Sequence, residues 1–293
     1  MNEKSENQET NANEADQNYE NENLVPVQDY DGTGYTLRNA SADIEKIAEE
    51  NEEEIKEAVV QYFSNKYKSE VKVHNMEAAN GGITVFLKSV SPLEYHTYAI
   101  VPVNEENASI MYEDIFTQSG QVENAIVTGI YAKVYNQEFN TLNSMLNQLA
   151  QEQPIVGVTA DALNNVTGDG YSTQYYRTAI FDKNLIEVSN TFLKDPTLDA
   201  EEYKILLNDV DYDPNLLSYV IEFYMEDKDK KPKQEILDKI ATEIEENKNE
   251  LPPGSYELIL NDNYINKVTA IGTNDNSLEI ADPNSIIIKL KEE

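Results

Sequence analysis

The chain has 293 residues, which is enough for one large domain or two modest ones with a hydrophobic core. Its 55 acidic and 22 basic residues give a net charge of −33, so its surface repels nucleic-acid phosphates and anionic membrane surfaces. The absence of cysteine excludes disulfides, thiolate nucleophiles and cysteine-based zinc sites. No apolar run reaches the roughly 18–20 residues of a membrane helix. We therefore expect no nucleic-acid partner, and no motif predicts a cofactor.

The first 23 residues have the composition of a disordered arm. They contain seven acidic residues, one lysine and many Asn and Gln, with almost no apolar side chains. Such a segment cannot bury enough surface to offset the entropy of ordering its backbone. We therefore predict a disordered acidic arm over residues 1–23, followed by a folded body.

Hydrophobic periodicity predicts an N-terminal α+β half over residues 24–155. Ser41 stands in the N-cap position of a long amphipathic stretch. Alternating residues around the Asn80-Gly81-Gly82 turn are typical of a β-meander, and Pro154 ends the last helical stripe. The predicted elements are a helix at about 41–67, strands near 71–73, 83–88, 95–103 and 109–115, and two helices between 122 and 149.

The same criteria predict a second α+β half over residues 156–293. Asp199 and Glu202 have the spacing of a capping box, and Pro232 suits the first turn of a helix. Asn261-Asp262-Asn263 is typical of a turn between two strands. The predicted elements are a helix over 181–192, a short helix after 199, a strand at 219–225, a helix with core positions 236–244, and strands at about 255–261, 265–272 and 285–291.

These elements indicate an α+β fold with mostly antiparallel sheets packed against helices. Each half contains a Gly-x-Gly-Tyr turn, Gly32-Thr33-Gly34-Tyr35 in the first and Gly168-Asp169-Gly170-Tyr171 in the second. This repetition raises the hypothesis of two related halves. One compact domain is the alternative.

The two glycine turns also define a candidate ligand site. Both lack the third glycine of a dinucleotide fingerprint, so Gly32, Gly34, Gly168 and Gly170 are interpreted as tight-turn glycines. Tyrosine offers a flat apolar face with a polar tip, and an arginine in so acidic a chain serves either a ligand or an internal carboxylate. The candidate ligand-binding residues are Tyr35, Tyr171, Tyr175 and Arg177.

Three alternating aspartates form a candidate metal site. Asp209, Asp211 and Asp213 have the spacing of the first oxygen ligands of a calcium loop. Pro214 and Val220 stand where an EF-hand needs glycine and a bidentate glutamate, so the motif is not an EF-hand. A looser calcium site and a solvated acidic turn are the two interpretations.

The two histidines, His74 and His96, lie in predicted strands. His96 is two residues from Glu94, hence on the same face of a regular strand, where a carboxylate could orient a base. No Gly-x-Ser-x-Gly elbow occurs, and acidic residues are too abundant for a catalytic pair to be recognised from spacing. A packed histidine is the alternative to a catalytic one.

Several stretches carry a resemblance to a known family. The sequence resembles uncharacterised lipoproteins of Bacillus and Staphylococcus, described as domain of unknown function 1672. The family transfers no catalytic residues. The stretches are residues 27–35, 73–75 (Val-His-Asn), 97–102 (Thr-Tyr-Ala-Ile-Val-Pro), 120–126, 131–139 and 168–173 (Gly-Asp-Gly-Tyr-Ser-Thr).

The resemblance implies a signal peptide that is removed and, directly before the acidic arm, a lipid-modified cysteine that remains as the anchor. Met1 would stand in the place of that cysteine, and the arm would be a tether averaging roughly 25 Å end to end. A native cytoplasmic N-terminus with an unstructured tail is the alternative.

We therefore expect an extracytoplasmic lipoprotein, bound to the membrane through its anchor alone. Its expected role is a non-enzymatic binding or interaction module for an unknown envelope protein or cell-wall ligand. The alternative is a cell-wall-directed hydrolase that uses carboxylates.

Overall fold

The computed structural model describes residues 22–168, 170–272 and 276–290. After a short strand β1 (Leu24–Pro26), the N-terminal half forms an antiparallel meander, as its alternating sequence predicts. Gly81, with a φ of 73°, lies in the tight turn between the first two meander strands. The meander consists of β2 (Glu70–Ala79), β3 (Gly82–Ser91), β4 (Tyr95–Asn104) and β5 (Ser109–Ile110), paired in that order.

The helix predicted over 41–67 is divided into α1 (Ala42–Glu50) and α2 (Glu52–Tyr67), so this prediction was wrong at one point. Asn51 lies at the break, where its Nδ2 donates a hydrogen bond of 2.8 Å to the Ile47 carbonyl. An asparagine side chain that bonds the preceding turn competes with the helical backbone pattern. Both helices still bury their apolar stripes against the meander.

The next two predicted helices are confirmed as α3 (Gln121–Val134) and α4 (Asn136–Glu152). Every residue of α3 from Ala125 to Ala132 is buried, because this helix packs against β4 on one side and against the C-terminal half on the other. One continuous hydrophobic cluster therefore spans both sequence halves.

The C-terminal half contains a six-stranded sheet. Its two central strands, β8 (Leu217–Met225) and β9 (Gly254–Asn261), are parallel, whereas the other pairs are antiparallel. A helical crossover joins the parallel pair, as parallel strands require. The sheet consists of β6 (Ile155–Val156), β7 (Tyr176–Ile180), β8 (Leu217–Met225), β9 (Gly254–Asn261), β12 (Leu278–Ile280) and β13 (Ile286–Ile288).

A third, three-stranded sheet ties the N-terminus to the C-terminal half. Strand β1 pairs antiparallel with β10 (Tyr264–Asn266), which pairs with β11 (Ile271–Gly272). The predicted single strand over 265–272 was therefore wrong, and β10 does not pair back onto β9. Asn263 lies at the junction, where its buried Nδ2 donates to the Met225 carbonyl at 2.8 Å.

The remaining helices are α5 (Ala160–Val166), α6 (Lys183–Ile186), α7 (Ser189–Lys194), α8 (Ala200–Asn208) and α9 (Gln234–Asn247). The capping box of α8 is confirmed, since Asp199 and Glu202 exchange both hydrogen bonds. The helix predicted over 181–192 is instead α6 and α7, with Phe181 exposed before them. Pro232 precedes the N-cap of α9, Lys233, and so lies outside the helix.

The α+β class with mostly antiparallel sheets is confirmed. The two halves differ in topology, one a meander and the other a mixed sheet with a crossover, which does not support the hypothesis of a duplication. No helix among the described residues combines the length and the apolar character needed to span a bilayer. Residues 1–21 of the predicted arm and Lys291 of the last predicted strand lie outside the described residues.

The first residue of β9 is expected to tolerate no side chain. Gly254 has a φ of 150°, and a Cβ there would lie 2.5 Å from Tyr219 Cε2 and 2.7 Å from the Leu217 carbonyl oxygen. We expect Gly254→Ala to lower the free energy of unfolding by about 3 kcal/mol, through overpacking and backbone strain together. At Gly120 (φ 79°) a Cβ would meet no described atom within 4 Å, so Gly120→Ala should cost only about 1 kcal/mol. Equal losses for the two variants in urea unfolding would contradict this account.

Candidate functional site

The two glycine turns lie close to one another and serve packing. Gly32 has a φ of 100°, and a Cβ on it would lie 2.8 Å from the Cβ of Asn165, at the end of α5. Asn165 Nδ2 in turn donates to the Asp31 carbonyl at 2.8 Å. Three residues further on, a Cβ on Gly168 would lie 2.6 Å from the ring of Tyr98 on β4. Asp169 lies outside the described residues.

The tyrosines that follow these turns are half-buried in different places. Tyr35 packs edge-on against Phe86 of β3, with ring centroids 5.7 Å apart. Tyr171 packs against Phe139 of α4 at 5.2 Å, and its backbone N–H donates to Thr128 Oγ1. Of the turn glycines, Gly168 admits close approach to the meander, and the four predicted ligand residues do not converge on one cavity.

Tyr175 and Arg177 line a small cavity of about 30 Å³ above the mixed sheet. This volume suits about one water molecule. Arg177 Nη2 donates to Glu222 Oε2 at 2.8 Å, and Glu222 Oε1 accepts from Tyr224 and from Asn261 Nδ2. Arg177 therefore serves an internal carboxylate, which was one of its two predicted roles.

The three aspartates predicted to bind calcium make three different local contacts. Asp209 is the C-cap of α8, the Asp211 carbonyl accepts from Asn184, and the Asp213 carboxylate accepts from the N–H of Asn215. All three are exposed. Within the described ranges no group of three His, Cys, Asp or Glu side chains could hold a metal ion. Their contacts agree with the interpretation as a solvated acidic turn.

His96 is fully buried on β4 and joins the meander to the second glycine turn. Its backbone N–H donates to the Gly170 carbonyl at 2.7 Å, and its Nε2 lies 3.2 Å from Asn164 Oδ1. Since an amide oxygen only accepts, Nε2 carries the proton and Nδ1 is left without a partner among the described atoms. Burial lowers the pKa of His96 to about 4, although the hydrogen bond to Asn164 opposes this. A packed, neutral histidine fits these contacts.

A groove of about 930 Å³ lies at the surface of the protein, and its volume falls within the usual size of ligand sites. We call it the basic groove. Four segments of the chain form it: the α3–α4 junction, α8 with the loop that follows, the loop between α9 and β9, and residues 287–290 in and after β13. Its lining residues are Tyr135, Glu138, Lys204, Leu207, Asn208, Val210, Tyr212, Lys248, Asn249, Leu251, Pro253 and residues 287–290.

The basic groove reverses the charge of the protein around it. Lys204, Lys248 and Lys289 line it against one carboxylate, Glu138, in a chain whose net charge is −33. Burial raises the pKa of Tyr135 and of Tyr212, so both phenols keep their protons and can donate hydrogen bonds. The groove therefore presents donors and positive charge above an apolar floor.

A second, smaller groove is acidic. It has a volume of about 300 Å³ between α1 and β2, and Glu45, Glu49, Glu77 and His74 are among its lining residues. Burial raises the pKa of Glu77, and the charge of Glu45 adds to this, whereas a hydrogen bond from Asn75 opposes it. We call it the acidic groove.

Neither groove is marked by a motif. The three lysines of the basic groove are separated by more than forty residues each, and no local pattern connects them. The one available signal is the scarcity of basic residues, which number 22 against 55 acidic ones.

Comparison with known proteins identifies the family. A family model described as "Protein of unknown function (DUF1672)" matches residues 17–289. The chain belongs to the DUF1672 family. This confirms the family resemblance found in the sequence, whereas the lipoprotein character stays a prediction.

A crystal structure of a DUF1672 family protein from Staphylococcus aureus is similar to this DUF1672 chain. The TM-score is 0.71 at 17% sequence identity, covering 92% of this chain and 99% of that chain. The two proteins therefore share a fold.

Two further comparisons add nothing on function. A DUF5037 family protein from Ruminococcus gnavus aligns at 17% identity over 75% of this chain and 82% of its own, with a TM-score of 0.28 that carries no argument. A comparison with curated proteins gives no significant match.

The buried histidine should make stability fall in acid. His96 takes up a proton in the unfolded chain near its ordinary pKa of 6.5 but in the folded protein only near pH 4, so its contribution is complete above 6.5 and is lost as the pH falls towards 4. The loss is expected to be about 3 kcal/mol. In His96→Gln this titration is absent. The difference in unfolding free energy between wild type and variant should therefore shrink by that amount from pH 7 to pH 4, and a constant difference would refute the assignment.

Proposed function

We propose that this protein is a non-enzymatic binding module, held outside the cytoplasmic membrane by an N-terminal lipid anchor, and that it binds an anionic ligand of the cell envelope in the basic groove. The observation that carries the proposal is the contrast between three lysines in one large groove and the strongly acidic remainder of the chain. Locally focused positive potential selects and steers anions even when the whole molecule repels them.

The chemistry of the groove favours binding over catalysis. Its described lining holds one carboxylate, Glu138, and no histidine, whereas hydrolysis by carboxylates needs an acid and a base or nucleophile. Lysine ammonium, asparagine amide and tyrosine hydroxyl groups are donors that suit carboxylate or phosphate oxygens.

The location outside the membrane rests on family resemblance and on composition. The resemblance implies a lipidated cysteine before an acidic arm, and residues 1–23 have the composition of a spacer. The first strand of the folded body after that segment is β1, which pairs with β10. Anchoring predicts that the natural protein enters the detergent phase and is cleaved by protease added to intact cells.

Sedimentation with isolated cell envelopes tests the binding role. We expect the purified chain to co-sediment, and the double variant Lys204→Gln/Lys289→Gln to bind at least about fivefold more weakly, because each lysine contributes on the order of 0.5–1 kcal/mol to anion binding at a partly exposed site. Lys46→Gln/Lys239→Gln removes the same charge from helices outside the groove and serves as the control. Equal binding by the two double variants would remove the groove from the proposal.

A second candidate function is a carboxylate hydrolase in the acidic groove, favoured by the raised pKa of Glu77 beside Glu45. Glu77 would be the proton donor.

If the acidic groove is a hydrolase site, the wild type should release soluble fragments from purified cell walls, and Glu77→Gln should lower the rate by about 100-fold or more. Glu57→Gln, at an exposed glutamate of α2 that does not line the acidic groove, is the matched control. Failure of the wild type to release fragments would eliminate this candidate.

A further inference from the structure

Resting on the proposed function, we infer that the basic groove binds an amphiphile: a molecule with one anionic head group, carboxylate or phosphate, and a single apolar chain. The wall of the groove combines both chemistries. Its lysines stand at the opening, and its floor is made of aliphatic side chains.

The lysines provide the head-group contacts. Lys204 and Lys289 are exposed, and neither forms an ion pair within the described ranges. Lys248 is paired with Glu245 at 3.3 Å, with both side chains more than half exposed. Two ammonium groups are thus available to a negative head group.

The apolar floor of the groove indicates that the ligand has an apolar chain in addition to its head group. Leu207 and Leu251 are each 2% exposed and close the bottom of the groove. Ile287 and Leu290 at its side are 40% and 38% exposed, which leaves apolar surface that a hydrocarbon chain would cover. A volume of about 930 Å³ greatly exceeds that of a free phosphate ion and accommodates a chain.

Charge at the border of the groove argues against a longer polyanion such as an acidic peptide. The exposed carboxylates of Asp209, Asp211 and Glu250 immediately adjoin lining residues in the sequence. A ligand with many charges would extend beyond the lysines into this negative surface, whereas a single head group is neutralised within the groove.

Calorimetric titration of the full chain with chemically defined probes tests the inference. Dodecyl phosphate and dodecanoate, below their micelle concentrations, should bind with one-to-one stoichiometry. Shortening the chain by two carbons should weaken the Kd by roughly tenfold, since each buried CH₂ contributes a similar increment. Dodecyl maltoside and dodecyltrimethylammonium test whether the head group must be anionic. Inorganic phosphate tests whether the ligand needs an apolar chain. Hexaglutamate tests whether an acidic peptide binds instead. Stronger binding of the phosphate or the carboxylate identifies the head-group source.

Two variants test the contacts with the head group and the contacts with the apolar chain separately. Lys204→Gln/Lys289→Gln should weaken alkyl-anion binding at least about fivefold while leaving chain-length dependence intact. Ile287→Ser should reduce the chain-length dependence, and Val90→Ser, at an exposed residue on the meander, is its control. Thermal unfolding confirms that each variant is folded.

The outcomes distinguish this inference from the proposed function. If hexaglutamate or inorganic phosphate binds as tightly as dodecyl phosphate, the inference that the ligand is an amphiphile is wrong. It is also wrong if alkyl-anion binding is unchanged in the lysine double variant. If alkyl anions fail while envelope sedimentation still depends on Lys204 and Lys289, the groove binds another anion and only the ligand class is wrong. If both measurements fail, the proposed function fails too.

Discussion

Burial of α3 between the meander and the mixed sheet is the constraint on which the rest of the structure depends. Gly129 admits the close approach, because a Cβ there would lie 3.0 Å from the Glu94 carbonyl oxygen. On the other side, Thr128 Oγ1 accepts from the Tyr171 N–H at 2.8 Å, and Asn124 Nδ2 donates to the Ile180 carbonyl at 2.6 Å. Separating the halves would expose a helix that is apolar all round, so the basic groove, which begins at the end of α3, is built on a fixed frame.

The distribution of charge follows from the excess of acid. Although acidic residues outnumber basic ones by 55 to 22, only six lysines of the described ranges form an ion pair, and the shortest pairs are those of Lys56, Lys88 and Lys239, at 2.5–2.6 Å. Such exposed pairs contribute less than about 1 kcal/mol each to stability. Their main effect is to cancel positive field locally. Lys204 and Lys289 form no ion pair with any described residue, so the groove that they line keeps its positive field.

Sequence patterns predicted the elements that depend on local periodicity and missed those that depend on long-range contact. The stripes of α3, α4 and α9 were recognisable because burial of one face enforces a helical repeat. The break at Asn51 depends on one side-chain hydrogen bond, which composition does not reveal.

The pairing of β1 with β10 joins residues about 240 positions apart, and the strand-like run at 265–272 carried no sign of it. The candidate site likewise combines residues that local sequence could identify with residues that only long-range contacts bring together. Arg177 could be matched with an internal carboxylate because arginine is rare in this chain, although Glu222 could not be named. The basic groove, assembled from the junction at 135, the helix end at 204–208 and the C-terminal strand, has no local signature.

Strand β9 of the mixed sheet separates the basic groove from the start of the folded body. Val27 N–H donates to the Asn263 carbonyl at 2.8 Å, so the N-terminal segment is fixed just beyond the last residue of β9, Asn261. The groove includes Pro253, directly before the first residue of the same strand. A strand of this length extends roughly 25 Å. The start of the folded body and the Pro253 edge of the groove therefore lie at opposite ends of β9, so a contact made at β1 does not cover the groove.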